Sequence, residues 1–341
     1  GAIAAGNRVM LKPSEWTPKT SALLAELASE AFEPDEFAVF EGGIETGRAF
    51  SELPFDHLLF TGSTRVAKEV SNSAAKNLTP LTLELGGKSP ALVCPDANLK
   101  RAAERIVFGK LANAGQICIA PDYVFVERAK FHDFIEMLQT YIKKAYPRLN
   151  NNPDYTSIIS ADHFSRLNRM IEEAREDGAE IISINPDGET LEPSARMIPP
   201  TLILRPNPTL GVMQEEIFGP ILPILSYEKI EEAIEFIQHR ARPLALYLFT
   251  EKARERERIL RETVSGGVAV NEVLFHCVCE TLPFGGVGAS GMGSYHGQAG
   301  FDTFSHLKPV FIQPRFNFNF FLVPPITPMK KLFAKIFRKL V

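Results

Sequence analysis

The stretch "HLLFTGSTRVAKEV", His57 to Val70, reads as strand, tight turn, helix: an apolar run ends at Gly62, and Ser63 and Thr64 open the helix. The same alternation continues on both sides. "RVMLKP" (8–13) is a short strand stopped by Pro13. The segment 14–31 follows with Leu23, Leu24, Leu27 and Ala28 at helical spacing, and Ser14 is expected to start that helix. "FAVFEGG" (37–43) and "PLTLEL" (80–85) are further strands. Strands that alternate with helices predict a parallel sheet covered on both faces.

A second α/β region runs from about Gly86 into the 280s. "LKRAAERIVFGKLA" places Leu99, Ala103, Ile106, Val107 and Leu111 on one helical face. "YVFVE" (123–127) and "ALYLFT" (245–250) read as strands, and "KARERERILRETV" (252–264) as a charged helix. Residues 184–200 are a Pro-rich loop. No internal repeat or low-complexity tract is present.

The 341 residues carry 37 basic and 41 acidic side chains, a net charge of −4, which gives no global field for nucleic acid. The four cysteines, Cys94, Cys118, Cys277 and Cys279, are too few and scattered for a disulfide framework. No CxxC pair or HExxH run suggests a metal, and a reducing cytoplasm fits. The chain opens on Gly1 in "GAIAAGNRV", which reads as the inside of a fold, so a fragment is expected. It shows neither a signal peptide nor an apolar run long enough to span a membrane.

Several short stretches carry chemistry, each with a plain alternative. Gly62 and Ser63 sit where a helix N-terminus offers free N–H donors to a phosphate, or where an ordinary capped helix begins. Lys12 and Glu15, just after a strand, suit a ribose diol or a helix start. Glu84 ends an apolar strand ahead of Gly86 and Gly87, as a strand-end charge in water or a tuned acid/base. Cys118, in "NAGQICIAPDY" (113–123), is either a small core residue or a nucleophile in a loop before a strand. "QEEIFGP" (214–220) holds Glu215 and Glu216 ahead of Phe218, a solvated acidic turn when read alone. "LPFGGVGASGMGSYHG" (282–297) permits close backbone approach.

Together, "KPSE", "FTGST", "LELGGKSP", "GQICIAPDYV", "EEIFGP" and "LPFGGVGASGMGSYHG" resemble the aldehyde dehydrogenase superfamily, in the family's order and from Gly1 to about Gln313. The forms "GQICIAPDYV" and "SGMGSYHGQAGFDTFSH" are most similar to the class 3, fatty aldehyde and bacterial coniferyl aldehyde branch. The ending "GFDTFSHLKPVFIQ" leans toward the coniferyl type.

The resemblance implies an α/β aldehyde dehydrogenase fold. An incomplete doubly wound NAD-binding domain (1–85) would precede an α/β catalytic domain (86–306). An oligomerisation strand (307–314) would pair across a homodimer, ahead of a basic tail (315–341). It implies that Cys118 attacks the aldehyde carbonyl and that Glu84 is the general base that hydrolyses the thioester. Lys12 and Glu15 match contacts to the adenosine ribose, Gly62 and Ser63 the pyrophosphate turn, and Glu216 the nicotinamide ribose ligand with Phe218 beside it. A carboxylate at Glu15 favours NAD, while Arg65 leaves NADP open. No metal is implied.

Two departures matter. Ala67 replaces a glycine common in the branch and would either crowd the cofactor or fill a gap. The family's oxyanion asparagine lies upstream of Gly1, and Asn113 is not that residue. Loss of one oxyanion donor costs roughly 2.7–4 kcal/mol, so the chain alone is expected to be poorly active or misfolded. A non-catalytic homologue and an acyl-phosphate reductase are the competing readings; an intact Cys118, Glu84 and Glu216 disfavour the first, and a hydrolytic Glu84 the second.

The tail is separate. Met329, Leu332, Phe333, Ile336, Phe337, Leu340 and Val341 recur at i, i+3, i+4, i+7 spacing, with Lys330, Lys331, Lys335, Arg338 and Lys339 on the other side. This basic amphipathic helix, 329–341, suits either peripheral contact with anionic lipid or packing on a partner subunit.

Overall fold

The computed structural model describes residues 1–321 and 323–338. Two units emerge, Gly1–Ser305 and His306–Val341. The first holds strands β1 (Val9–Leu11), β2 (Phe37–Val39), β3 (Leu58–Thr61), β4 (Leu81–Glu84), β5 (Pro90–Val93) and β6 (Tyr123–Glu127). These are followed by β7 (Glu180–Ser183), β8 (Thr201–Leu204), β9 (Ile221–Tyr227), β10 (Ala245–Phe249), β11 (Gly267–Val270) and β12 (Gly291–Met292). Its helices are α1 (Pro18–Ala31), α2 (Ile44–Ser51), α3 (Thr64–Ala75), α4 (Leu99–Leu111), α5 (Phe131–Ala145), α6 (Ala161–Glu176), α7 (Gly211–Gln214), α8 (Ile230–Gln238), α9 (Ala253–Glu262) and α10 (Gly297–Thr303).

The main sheet has seven strands in the order β11-β10-β5-β6-β9-β8-β7, parallel except for the antiparallel β7–β8 pair. Its central strands β5 and β10 are buried along their whole length because both faces are covered, whereas the edge strand β7 exposes Glu180 and Ser183. On β5, Ala91 and Val93 join one buried cluster while Leu92 joins the other; on β6, Val124 and Val126 part from Tyr123 and Phe125 in the same way. That is the two-residue period of a pleated strand. Helices α4 and α5 bring Ile106, Val107, Phe134 and Leu138 to the first face. Helices α6, α8 and α9 bring Leu167, Met170, Ile234 and Ile259 to the second. Each such side chain contributes about 1.5–3 kcal/mol when fully buried.

The N-terminal quarter departs from expectation. β1 and β2 pair parallel as a two-stranded sheet, while β3 and β4 pair parallel in a separate sheet whose third member is β12, antiparallel to β4. Among the described residues no ladder joins the two pairs, so the four strands are not one sheet. Ser14 does not cap α1. Its hydroxyl accepts from the Trp16 N–H, Thr17 is the N-cap and Pro18 the first helical residue. The chain spends residues 14–17 on a turn before a helix whose first turn tolerates proline. Leu23 and Leu27 of α1 are exposed, whereas Ala28 is buried. The Ala67 alternative resolves toward filling: its methyl is buried against Leu83 and Leu85.

In the second unit, residues 307–314 form no ladder, and Leu307, Val310, Phe311 and Ile312 are exposed. A strand there requires a partner edge. Helix α11 (Pro328–Phe337) is capped by Thr327, whose hydroxyl accepts from the Lys330 N–H. Phe321 and Phe333 stack at 4.1 Å. Met329, Leu332, Ile336 and Phe337 are exposed. Lys339, Leu340 and Val341 of the expected amphipathic helix lie outside the described residues. Among the described residues no helix is long and apolar enough to cross a membrane.

Candidate active site

Topology explains why distant stretches of sequence meet. β5, β6 and β9 are adjacent and parallel, with Pro90 opposite Tyr123 and Val124 opposite Ile224. Parallel strands begin at the same edge, so their lead-in segments converge there. Those segments are Gly86–Ser89, Cys118–Asp122 and Glu215–Pro220. Glu84 ends β4 immediately before the first. The glycine-rich return loop closes over it: Gly291 of β12 lies opposite Glu84, and the Leu85 N–H donates to Ser290 O at 3.1 Å. A Cβ at Gly291 would collide with Leu83 O, so the loop approaches this closely only as glycine. Thr64 at the start of α3 donates to Ala289 O at 3.0 Å and fixes the loop's outer side.

Cys118 is half-buried in the turn between α4 and β6. The preceding Asn113, Ala114 and Gly115 have φ of 50°, 51° and 75°, three successive left-handed residues. For Asn113 and Ala114 such backbone costs of order 1 kcal/mol or more each. The neighbourhood holds it in place. Gln116 donates to Asn113 O and Ser157 O, both at 3.1 Å, and accepts from the Ile159 N–H at 2.8 Å. Tyr247 donates its hydroxyl to Ile119 O. A Cβ on Gly115 would strike Gly219 O and C and Lys110 O, all main-chain atoms. The cysteine loop and the "EEIFGP" loop therefore touch backbone to backbone.

Burial pushes the Cys118 thiol up to about 11, and the Glu216 and Glu84 carboxylates and the Cys277 thiol push in the same direction. These groups share one field. Tyr295 joins them, its phenol raised by burial and then by Glu84, Cys118 and Cys277. Glu84 is 5% exposed, and neither carboxyl oxygen has a hydrogen-bond partner among the described residues. Burial alone raises its pKa to about 8. A carboxyl with that value and two unused oxygens exchanges protons near neutral pH.

Glu216 lies against the Gly86–Gly87 backbone. The Gly87 N–H lies near its carboxylate and holds its pKa down, and a Cβ added to Gly86 would fall on the carboxylate itself. Burial and then Asp122 raise the Glu216 pKa, against the Gly87 N–H, Lys88 and Arg166, to about 7. Phe218 is held at φ 49°, with its ring 6.5 Å from that of His163.

The remaining expected residues sit just past the C-terminal ends of β1 and β3. Lys12 and Glu15 form a 2.8 Å ion pair, and the lysine holds the Glu15 carboxyl below its ordinary range. Pro13, Ser14, Glu15, Ser21, Glu41 and Gly42 line a cleft beside it. Gly62 donates its N–H to Glu84 O at 3.1 Å, which ties the turn to β4. Ser63 is the N-cap of α3 and accepts from the Val66 N–H at 3.3 Å. Thus Cys118, Glu84 and Glu216 come together, Gly62–Ser63 adjoins through β4, and Lys12–Glu15 forms its own cleft.

Sequence reading missed Tyr295, Cys277 and a buried ion cluster, Lys88–Asp122–Lys110. Lys88 pairs with Asp122, and Lys110, 2% exposed, has its ammonium 3.8 Å from the same carboxylate. A lysine followed by a proline-bounded strand, and an aspartate before an apolar one, were the available signals. No group of His, Cys, Asp and Glu among the described residues has the makings of a metal site.

Residues 1–310 match the sequence profile of the aldehyde dehydrogenase family. The chain is 51% identical over 314 residues to a probable coniferyl aldehyde dehydrogenase of Caulobacter vibrioides, covering 92% of this chain and 65% of that protein. It is 44% identical over 340 residues to aldehyde dehydrogenase family 3 member A2 of Rattus norvegicus, covering 99% of this chain and 68% of that one. The solved substrate-bound state of Staphylococcus aureus AldH superposes with a TM-score of 0.89 at 43% identity, over 98% of this chain and 72% of that one. The chain thus spans about two thirds of the length of the relatives it matches. With these likenesses covering both the strand order and the Cys118–Glu84–Glu216 stretches, the chain belongs to the aldehyde dehydrogenase family.

Proposed function

We propose that the protein carrying this chain oxidises an aldehyde to a carboxylic acid through a thiohemiacetal and then a thioester on Cys118. The observation that carries this reading is the shared buried site of Cys118 and Glu84, a nucleophile candidate beside a carboxyl raised to about 8 with both oxygens unused. Glu84 takes a proton from the thiol or from the water that cleaves the thioester, and returns it to solvent. The Cys118 main-chain N–H, which favours the thiolate, is also one donor for the oxyanion.

NAD fits the chain's residues and, when bound, supplies the hydride acceptor. The Gly86–Gly87 cradle with its Glu216 carboxylate would take the nicotinamide ribose, with Phe218 beside it. Ser63 and Gly62 would take the pyrophosphate, and Lys12 and Glu15 the adenosine ribose. Glu15 repels a 2′-phosphate, which favours NAD over NADP; Arg65 is the residue that would serve NADP.

The substrate we favour is a coniferyl-type aromatic aldehyde, in line with the Caulobacter relative. A long-chain aliphatic aldehyde is the second reading, favoured by the basic amphipathic α11, which suits contact with anionic lipid. The exposed apolar residues 307–314 suit pairing across a homodimer. NADH formation on a cinnamyl and a long-chain aldehyde at matched concentrations tests the reading. Cys118→Ala is expected to abolish it, and turnover surviving that substitution would overturn the mechanism.

A further inference from the structure

The Glu216 segment has no sheet or helix to hold it, since α7 ends at Gln214 and β9 begins at Ile221. Its main chain is held by charged side chains instead. Lys88 donates to Val212 O at 2.8 Å and Glu215 O at 3.0 Å. Asp122 accepts from the Ile217 N–H at 3.1 Å. Arg166 of α6 donates to Glu216 O at 3.1 Å and Ile217 O at 2.6 Å. Asp122, 2% exposed, also closes the ion pair with Lys88. Lys88 lies four residues after Glu84, and Asp122 four residues after Cys118.

We propose that Asp122 is a positioning residue: paired with Lys88, it fastens the cysteine loop to the Glu215–Ile217 backbone and so keeps the Glu216 carboxylate on the Gly86–Gly87 turn. This inference rests on the dehydrogenase reading for its consequence in cofactor binding, but not for its geometry. Truncating one partner of a buried, hydrogen-bonded charge pair leaves the other uncompensated, and the segment it tethers is released. Arg166 holds the same segment through Glu216 O and Ile217 O and acts in the same sense.

The test uses the full chain with Asp122→Asn, Glu216→Gln and the double variant. Amide exchange at Gly87 reads the Glu216 contact directly. Asp122→Asn is expected to speed it about tenfold, as for coupled neighbours, and unchanged exchange overturns the proposal. NADH affinity, from fluorescence titration, is expected to fall about tenfold in each single variant and no further in the double, because both act through one carboxylate. Additive losses overturn the proposal. If the whole protein that carries this chain, unsubstituted, binds no NADH, the cofactor reading fails, while Gly87 exchange still decides the positioning role. Should Asp122→Asn fail to fold, Arg166→Gln is read in its place against Arg166→Lys. The lysine variant is expected to recover part of the Gly87 protection, and equal loss in both would count against the clamp.

Discussion

Gly86→Ala separates stability from function at a single methyl. The backbone at Gly86 lies outside the left-handed region, so alanine adopts it without strain. The three atoms nearest the added Cβ all belong to the Glu216 carboxylate, the free end of a flexible side chain. That carboxylate must swing away and lose the Gly87 N–H. A hydrogen bond to a charged group contributes about 1.5–3 kcal/mol, so a ligand held by Glu216 in this position is expected to bind about 10- to 100-fold more weakly. Folding should lose only part of that, because alanine restricts the unfolded chain and contributes about 0.4–1 kcal/mol at a compatible site. The assays are a urea titration for stability and NADH fluorescence titration for affinity, on the same preparations. Unchanged NADH affinity would refute the reasoning, as would a stability loss matching any affinity loss.

Other outcomes follow from the charges. Glu84 binds its proton up to about pH 8 when folded but only to its ordinary 4.5 when unfolded. Its contribution to stability is therefore present below 4.5 and is lost as pH rises to about 8, an effect of order a few kcal/mol. Denaturation midpoints at pH 5 and 9 should draw together in Glu84→Gln, and an unchanged gap would contradict this. Iodoacetamide should alkylate Cys118 slowly at pH 7.5 without cofactor, rising about tenfold per pH unit until it flattens near pH 11 as the thiolate forms; a plateau by pH 8 would show a thiol less perturbed than its burial implies. The chain should co-sediment with anionic vesicles and not with zwitterionic ones, and reversal of Lys331 and Lys335 to Glu should abolish this; Lys330, expected on the same polar face, is instead buried with its ammonium donating to Val323 O. Equal sedimentation of the reversed variant would remove the lipid reading of α11.

The elements that carry local periodicity were legible. Helix α4 buries Ala103, Ile106, Val107 and Leu111, as their spacing indicates, and Cys118 falls in a turn before an apolar strand. Glu84 was legible as a strand-end carboxyl, but its burial depends on the return loop about two hundred residues later, which no local pattern reports. The separation of β1–β2 from β3–β4 is equally non-local, because alternation fixes the type of element and not which ladders close. The exposed leucines of α1 show the same limit: spacing gives a face, not what covers it. Lys88 and Asp122 look like ordinary surface charges in one dimension. Only the adjacency of β5, β6 and β9 makes them partners.

The contact between Gly115 and Gly219 has a consequence for suppressor genetics. At Gly86 the obstacle to a side chain is another side chain, so a second substitution that shortens Glu216 makes room. At Gly115 the obstacles are the carbonyl of Gly219 and the carbonyl of Lys110, and no change of side chain moves an oxygen of the main chain. A selection for second-site revertants should therefore recover only true reversion from Gly115→Ala; a shortened residue 216 would clear the methyl of Gly86→Ala but leave the ligand without its carboxylate on the Gly86–Gly87 turn.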